Sequence, residues 1–253
     1  HGPTLIDNNI LLSDASLRFA TQGVAMVHNL ICGALTCVGG GTSWRYTPYH
    51  IPHRTEVMGF MTILHGDDRF CNNIFVQKWP KEDIITPHDS DDGFDTENRL
   101  AGTWEFDEYP TYEEWIAQFE LDKPANMGKV EPYHFGHLPV WSEGNVYLGG
   151  ARAWKKEAHC LKLSEEEPVR VELKEEDGKI FLDTNIYELI KDFKGRMIHT
   201  GILGKAFEPE QPFENPDGTS ITFDTDYFGS HRGMDVVPGP FAGEKDACKA
   251  LVR

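Results

Sequence analysis

Over the first 80 positions the apolar residues recur in short runs with no helical period, and each run is introduced by asparagine. Ile6-Asp7-Asn8-Asn9-Ile10-Leu11-Leu12 is followed by Val27-His28-Asn29-Leu30-Ile31 and Phe70-Cys71-Asn72-Asn73-Ile74-Phe75-Val76, with a weaker copy at Glu143-Gly144-Asn145-Val146-Tyr147-Leu148. Asn29 follows Asn9 by 20 residues and Asn73 follows Asn29 by 44, about twice 22, within the roughly 20–29 residue range of strand-based repeats. One such phrase cannot bury its own apolar face. Stacked as parallel strands the copies bury a continuous core, and asparagines at equivalent turns hydrogen-bond along the stack as a ladder. The competing reading is a β-sandwich with Asn at strand starts, which the regular spacing disfavours.

Beyond residue 80 the pattern changes. Thr111 and Glu114 have capping-box spacing, and Tyr112, Trp115, Ile116 and Phe119 fall on one helical face, read as packing. Val169, Val171 and Leu173 alternate with charged residues, Asp177-Gly178 supplies a tight turn, and Ile180 and Leu182 resume the alternation, which predicts a β-hairpin. The tail from Phe207 to Arg253 is rich in Pro, Gly and Asp and reads as an ordered extended wrap or short strands. The expected fold class is all-β. A parallel β-helix is expected over 1–80 with the presumed groove, an acidic insertion with a short helix over 81–138, and a further turn, hairpin and extended segment over 139–253.

Charge refines this picture. The 253 residues carry 24 Lys and Arg against 41 Asp and Glu, a net charge of −17. Residues 1–80 are balanced, with five acids and five bases, whereas 82–122 hold 14 acids and the single base Arg99. This balance argues against nucleic acid or an anionic membrane surface as partner, because both require clustered positive charge. The acidic stretch reads as a solvated surface. Asp89, Asp91, Asp92 and Asp95 raise the idea of a calcium loop but lack EF-hand spacing. No apolar run reaches the roughly 18 residues of a membrane span, and no signal peptide opens the chain. The first residue is His1, so a processed chain or a piece of a longer one is expected. Cys32, Cys37, Cys71, Cys160 and Cys248 are odd in number and contain no C-x-x-C pair, which favours buried thiols and a bacterial cytoplasm.

The densest polar and aromatic cluster runs from Arg45 and Tyr46 through Tyr49, His50 and His53 to Arg54, followed by His65-Gly66-Asp67-Asp68-Arg69. Aromatics beside His, Asp and Arg suit a sugar, whose ring faces stack while its hydroxyls take directed hydrogen bonds. His50 and His53 with Asp67 or Asp68 form an alternative half metal site, although Pro52 disfavours a helix there. An N-terminal His1 is also a possible copper chelator. Gly39-Gly40-Gly41 opens no helix and lacks the Lys and Ser of a phosphate loop.

These residues resemble family 120 of the glycoside hydrolases. The resemblance rests on His1-Gly2-Pro3-Thr4-Leu5-Ile6-Asp7-Asn8-Asn9-Ile10, Gln22-Gly23-Val24-Ala25, Thr47-Pro48-Tyr49-His50-Ile51-Pro52-His53 and Gly66-Asp67-Asp68-Arg69. Asn215-Pro216-Asp217-Gly218, Asp224-Thr225-Asp226-Tyr227-Phe228-Gly229 and Pro238-Gly239-Pro240-Phe241 extend it toward the C-terminus. The resemblance implies a right-handed parallel β-helix and a retaining β-xylosidase acting on short xylo-oligosaccharides, with no metal or other cofactor. Retention requires two carboxyl groups about 5–5.5 Å apart. In the family these stand in a W-L-D-W phrase and in an F-V-E-V-N phrase that runs into H-G-P. His1-Gly2-Pro3 therefore implies that both lie upstream, in a missing N-terminal portion, and that this chain alone is inactive. The implied sugar-contacting residues are His1, Tyr49, His50, His53, Asp67, Asp68 and Arg69, with Arg54 standing where the family has Ser. The rival expectations are a non-catalytic carbohydrate-binding β-helix and a β-helix polysaccharide lyase.

Overall fold

The computed structural model describes residues 1–37, 47–79, 100–119, 121–124, 136–243 and 249–251. Gly39–Gly41, Arg45, Tyr46, the aspartates at 89, 91, 92 and 95, and Cys248 lie outside them.

The asparagine phrases are strand pairs separated by a corner. A first parallel sheet, sheet A, contains β1 (Thr4–Asp7), β4 (Val24–Val27), β9 (Asp68–Cys71) and β11 (Val140–Glu143), adjacent in that order. Sheet B, also parallel, contains β2 (Ile10–Leu11), β5 (Leu30–Ile31), β10 (Ile74–Val76), β12 (Asn145–Leu148) and β13 (Cys160–Lys162). The strands β3 (Ala15–Phe19) and β6 (Ala34–Cys37) pair in parallel as sheet C. Each strand of sheet A passes through a corner into the corresponding strand of sheet B, and neighbours in space are successive copies of the phrase. This is a mostly-β, β-helix-like arrangement, and parallel pairing replaces the antiparallel pairing that a sandwich would show.

Where both faces of a sheet are covered, as at β4, β5 and β10, the strand is buried throughout and reads as a continuous apolar run. Val24, Met26, Phe70 and Val140 of sheet A meet Ile31, Phe75 and Tyr147 of sheet B in the interior. Phe75 stacks on its register partner Tyr147 with centroids 5.2 Å apart. The outer face of sheet A, through Ala25, Val27 and Cys71, is covered by Ile198, Leu203, Phe213 and Phe223. The outer face of sheet B packs on Val171, Leu182, Ile186 and Phe241.

The ladder forms at the corner. Asn8, His28 and Asn72 take positive φ of 53°, 59° and 55°, and Gly144 takes 69° in the fourth copy. The next residue is always the ladder asparagine. Asn73 Oδ1 accepts from the Asn29 backbone N–H at 3.0 Å and from Asn29 Nδ2 at 2.9 Å, and Asn73 Nδ2 donates to the Met26 carbonyl at 2.8 Å. Asn29 does the same for Asn9 and Ile6, and Asn145 for Asn73 and Phe70. Past Asn145 the acceptor is a buried carboxylate: Glu157 Oε1 takes Asn145 Nδ2 at 2.9 Å, while Oε2 takes the Ser142 and Tyr147 hydroxyls at 2.7 and 2.6 Å.

The acidic insertion and the tail hang on this frame. Helix α1 (Tyr112–Ile116) is closed by the expected capping box, but none of its residues is buried and Tyr112 is 41% exposed. The aromatic face read as packing is half-buried: Trp115 meets Phe119 and Phe207, and Tyr112 meets Trp141, while the Tyr112 side also borders open space. The expected hairpin is β14 (Val171–Glu176) and β15 (Lys179–Thr184), turning at Asp177 and Gly178 with φ of 51° and 74°. Within the tail expected to hold an extended wrap or short strands, β16 (Lys249–Leu251) pairs antiparallel with β15. Short helices α2 (Ile186–Leu189) and α3 (Thr200–Leu203) precede the extended tail. Buried Arg232 fastens that tail to the first coil, donating to Asn8 Oδ1 at 2.8 Å and to the carbonyls of Thr225, Val237 and Gly239. Cys32, Cys37 and Cys71 are buried free thiols, and Cys160 is a half-buried one.

A half-buried acid lies against β6. Glu105 Oε1 accepts the Cys37 N–H at 3.0 Å, and burial raises its carboxyl from 4.5 to about 7, against the opposing pull of that N–H.

Asn73→Ala strands buried Asn29 and Met26 backbone groups and should cost about 2–4 kcal/mol, whereas Asn9→Ala at the exposed end should cost under about 1 kcal/mol. Urea unfolding measures both, and equal losses would refute the ladder's role. For Glu105 the folded state binds the extra proton between about pH 4.5 and 7, so stability falls as pH rises through that window. The Glu105→Gln variant keeps the acceptor and loses the titration. Its unfolding midpoint relative to wild type should rise from pH 5 to pH 8, and an unchanged difference would contradict the assignment.

Candidate functional site

The segments entering sheet A stack on one another at its leading edge. Gly2 N–H donates to the Gln22 carbonyl at 2.7 Å, Gly23 N–H to Gly66 at 3.2 Å, and Asp67 N–H to Pro139 at 2.7 Å. Gly23 has φ of 73°, and a Cβ there would stand 3.2 Å from Asp67 Oδ2 and 3.1 Å from Ala206 Cβ, which accounts for glycine at this crossing.

A polar network lies along this edge. Fully buried Gln22 accepts the Leu64 N–H through Oε1 at 2.7 Å and donates from Nε2 to His1 Nδ1 at 3.3 Å. Thr47 donates its hydroxyl proton to the Met61 carbonyl at 3.0 Å, so at 2.9 Å its oxygen accepts from His1 Nε2–H. These partners set the neutral tautomer of His1 with the proton on Nε2. Tyr49 packs edge-on against the ring at 5.7 Å. Glu208 also accepts from Gln22, and burial raises its carboxyl above the usual range.

The paired aspartates divide between two faces. Asp68, two residues before interior-facing Phe70, shares its face, is fully buried, and accepts the Val24 N–H through Oδ1 at 3.0 Å. Its Oδ2 has no protein partner among the described residues. Burial holds the carboxyl well above its ordinary range, and the charge of Asp67 adds to this. Arg69 points outward with Cys71. Its Nε donates to the Leu203 carbonyl at 2.9 Å, Nη2 to Lys205 at 2.9 Å, and Nη1 to Asp67. The guanidinium lies 4.4 Å from the Trp141 ring centre and 4.7 Å from that of Phe213. Asp67, at φ of 55°, takes Arg69 on Oδ1 and the Phe207 N–H on Oδ2 at 2.8 Å. Burial raises it to about 6, against the pull of Arg69. This buried pair ties the strap of residues 203–208 to sheet A.

The strap joins two environments. Glu208 reaches Gln22, while Phe207 faces a cleft of about 630 Å³ also lined by Arg69, Tyr112, Trp115, Trp141 and Lys205. Trp115, Trp141 and Phe207 were not among the sequence's site candidates, and the periodicity of α1 pointed to packing.

Of the expected site residues, His1 and Tyr49 meet at the edge network, and Asp67 and Arg69 meet beneath the strap. His50 and His53 lie at the end of the antiparallel hairpin of β7 (Thr47–His50) and β8 (Val57–Met61). His50 Nδ1 contacts the Thr55 carbonyl at 3.1 Å, and His53 Nε2 contacts Glu214 at 2.7 Å. Among the described residues no group of three or more His, Cys, Asp or Glu side chains is placed to hold a metal ion, and no helix is long and apolar enough to cross a membrane.

No protein-family model and no curated protein matches the chain. Among solved structures, the chain is similar to XylC in its complex with xylose, at 29% sequence identity and a TM-score of 0.78. The match covers 96% of this chain and 34% of that one, so the chain spans about a third of the length of XylC. In fold and in sequence, this chain is similar to part of a protein solved with bound xylose.

Proposed function

We propose that this chain is the sugar-binding part of a retaining, β-xylosidase-like glycoside hydrolase for short xylo-oligosaccharides. In this reading the parallel sheets are coils of a right-handed β-helix. The observation that carries it is the 29% identity with XylC, solved with xylose, over 96% of the chain. The edge network supports it, because half-buried His1, Glu208 and Tyr49, oriented by buried Gln22, supply the directed polar groups and aromatic edge that a pentose requires. His50 and His53 belong to the proposed contact set as the outer rim.

Asp67 and Arg69 are proposed as positioning residues, since their contacts hold the strap. Both catalytic carboxylates are assigned outside this chain: Asp67 has both oxygens engaged, and Asp68 is closed from solvent. A lyase would need a cation directed at an anionic substrate, whereas Arg69 is committed to Asp67 and two carbonyls.

Xylose titrated into the ¹⁵N-labelled chain should shift the amides of Gln22, Gly23, Thr47 and Leu64. No shift at saturating sugar would refute the sugar site. The chain alone should not turn over an aryl β-xyloside, and turnover abolished by Asp68→Asn would refute the assignment of the carboxylates elsewhere.

A further inference from the structure

We infer that the aromatic cleft beside the strap is a second sugar subsite, taking a neutral pyranose ring of an oligosaccharide whose neighbouring unit sits at the edge network. This deepens the proposed function and rests on it. The cleft volume, about 630 Å³, falls within the roughly 300–1,000 Å³ of small-ligand sites. The rings have a floor and a wall. Tyr112 lies within 27° of the Trp141 plane and 34° of Trp115, each with centroids 6.2 Å away, whereas Phe207 stands at 79° to Trp141. A pyranose presents axial C–H groups on its face and hydroxyls around its rim, which matches an aromatic floor with polar groups at the margin. Lys205 and Glu210 are exposed lining residues and supply that margin.

Charge selects among sugars. The buried cation of the cleft, Arg69, is paired with Asp67, and the exposed Lys205 and Glu210 are of opposite sign. No net charge faces the ligand from these residues, which favours a neutral xylan-type chain over a uronate. Continuity supplies the register: consecutive strap residues Phe207 and Glu208 serve the cleft and the edge network, so one oligosaccharide can span both. The helix α1 has tertiary reason to remain unburied, because its aromatic face is the floor.

Calorimetric titrations of the chain with xylose and with xylotetraose test this, using wild type, Tyr112→Ala and Trp115→Ala. Tyr112 is exposed, so its truncation leaves the fold intact, and retained xylose binding reports folding in both variants. Wild type should bind xylotetraose more tightly than xylose. Each variant should lose roughly tenfold or more in xylotetraose affinity, as for loss of a large aromatic anchor, with xylose affinity unchanged. Xylose binding by wild type with no advantage for xylotetraose, or variants that bind xylotetraose as wild type does, would overturn the subsite while leaving the proposed function standing. Failure of wild type to bind either sugar would overturn both. Tighter binding of an oligouronate than of xylotetraose would overturn the neutral assignment.

Discussion

Backbone groups at the coil corners depend on the asparagine ladder. Each coil turns through a left-handed residue, which leaves a buried N–H and carbonyl without a strand partner. An asparagine side chain supplies one acceptor and two donors in the required place, and its oxygen takes both the backbone and the side-chain donor of the preceding coil. The chain of acceptors must end somewhere, and it ends on Glu157, whose second oxygen is satisfied by Ser142 and Tyr147. A carboxylate serves there because it accepts without needing to pass a donor onward.

Register follows from the ladder, and the site follows from register. With Asn9, Asn29, Asn73 and Asn145 aligned, the strands of sheet A start in step and their entering segments stack as one edge. Strand alternation then sends Asp68 inward and Arg69 outward from adjacent positions. Arg69 is buried between two aromatic rings and bound to three backbone carbonyl or carboxylate partners, so it is an anchor for the strap. Removing its partner Asp67 would leave a buried charge unpaired, a costly change even where the pair itself contributes little net stability. The strap in turn sets Phe207 and Glu208 on either side of sheet A's leading edge.

The coils were readable in the sequence because their signals are local. The asparagine phrases, the Thr111–Glu114 capping box and the Asp177-Gly178 turn each lie within a few residues and have one dominant physical reading. The cleft was not readable. Its walls come from residues 69, 112–115, 141 and 205–207, brought together across more than 90 residues, and no periodicity links them. Helical spacing of Tyr112, Trp115 and Phe119 indicates a common face but not what that face meets. The Arg232 fastening and the return of β16 to the hairpin escaped for the same reason: both join distant segments through contacts that have no local signature. The Asp67-Asp68-Arg69 motif was legible as special, but only the register showed which acid pairs with the arginine.

On the proposed function, the ladder-aligned edge and the adjoining aromatic floor form one continuous sugar-binding surface. A crystal structure of the chain with xylotetraose tests it most directly. Adjacent xylose units are expected, one within hydrogen-bonding reach of the edge around His1 and Glu208 and another stacked on Tyr112 or Trp141. Ordered sugar on any other surface, such as the exposed Tyr227 and Phe228 pair, with both of these places empty, would contradict it.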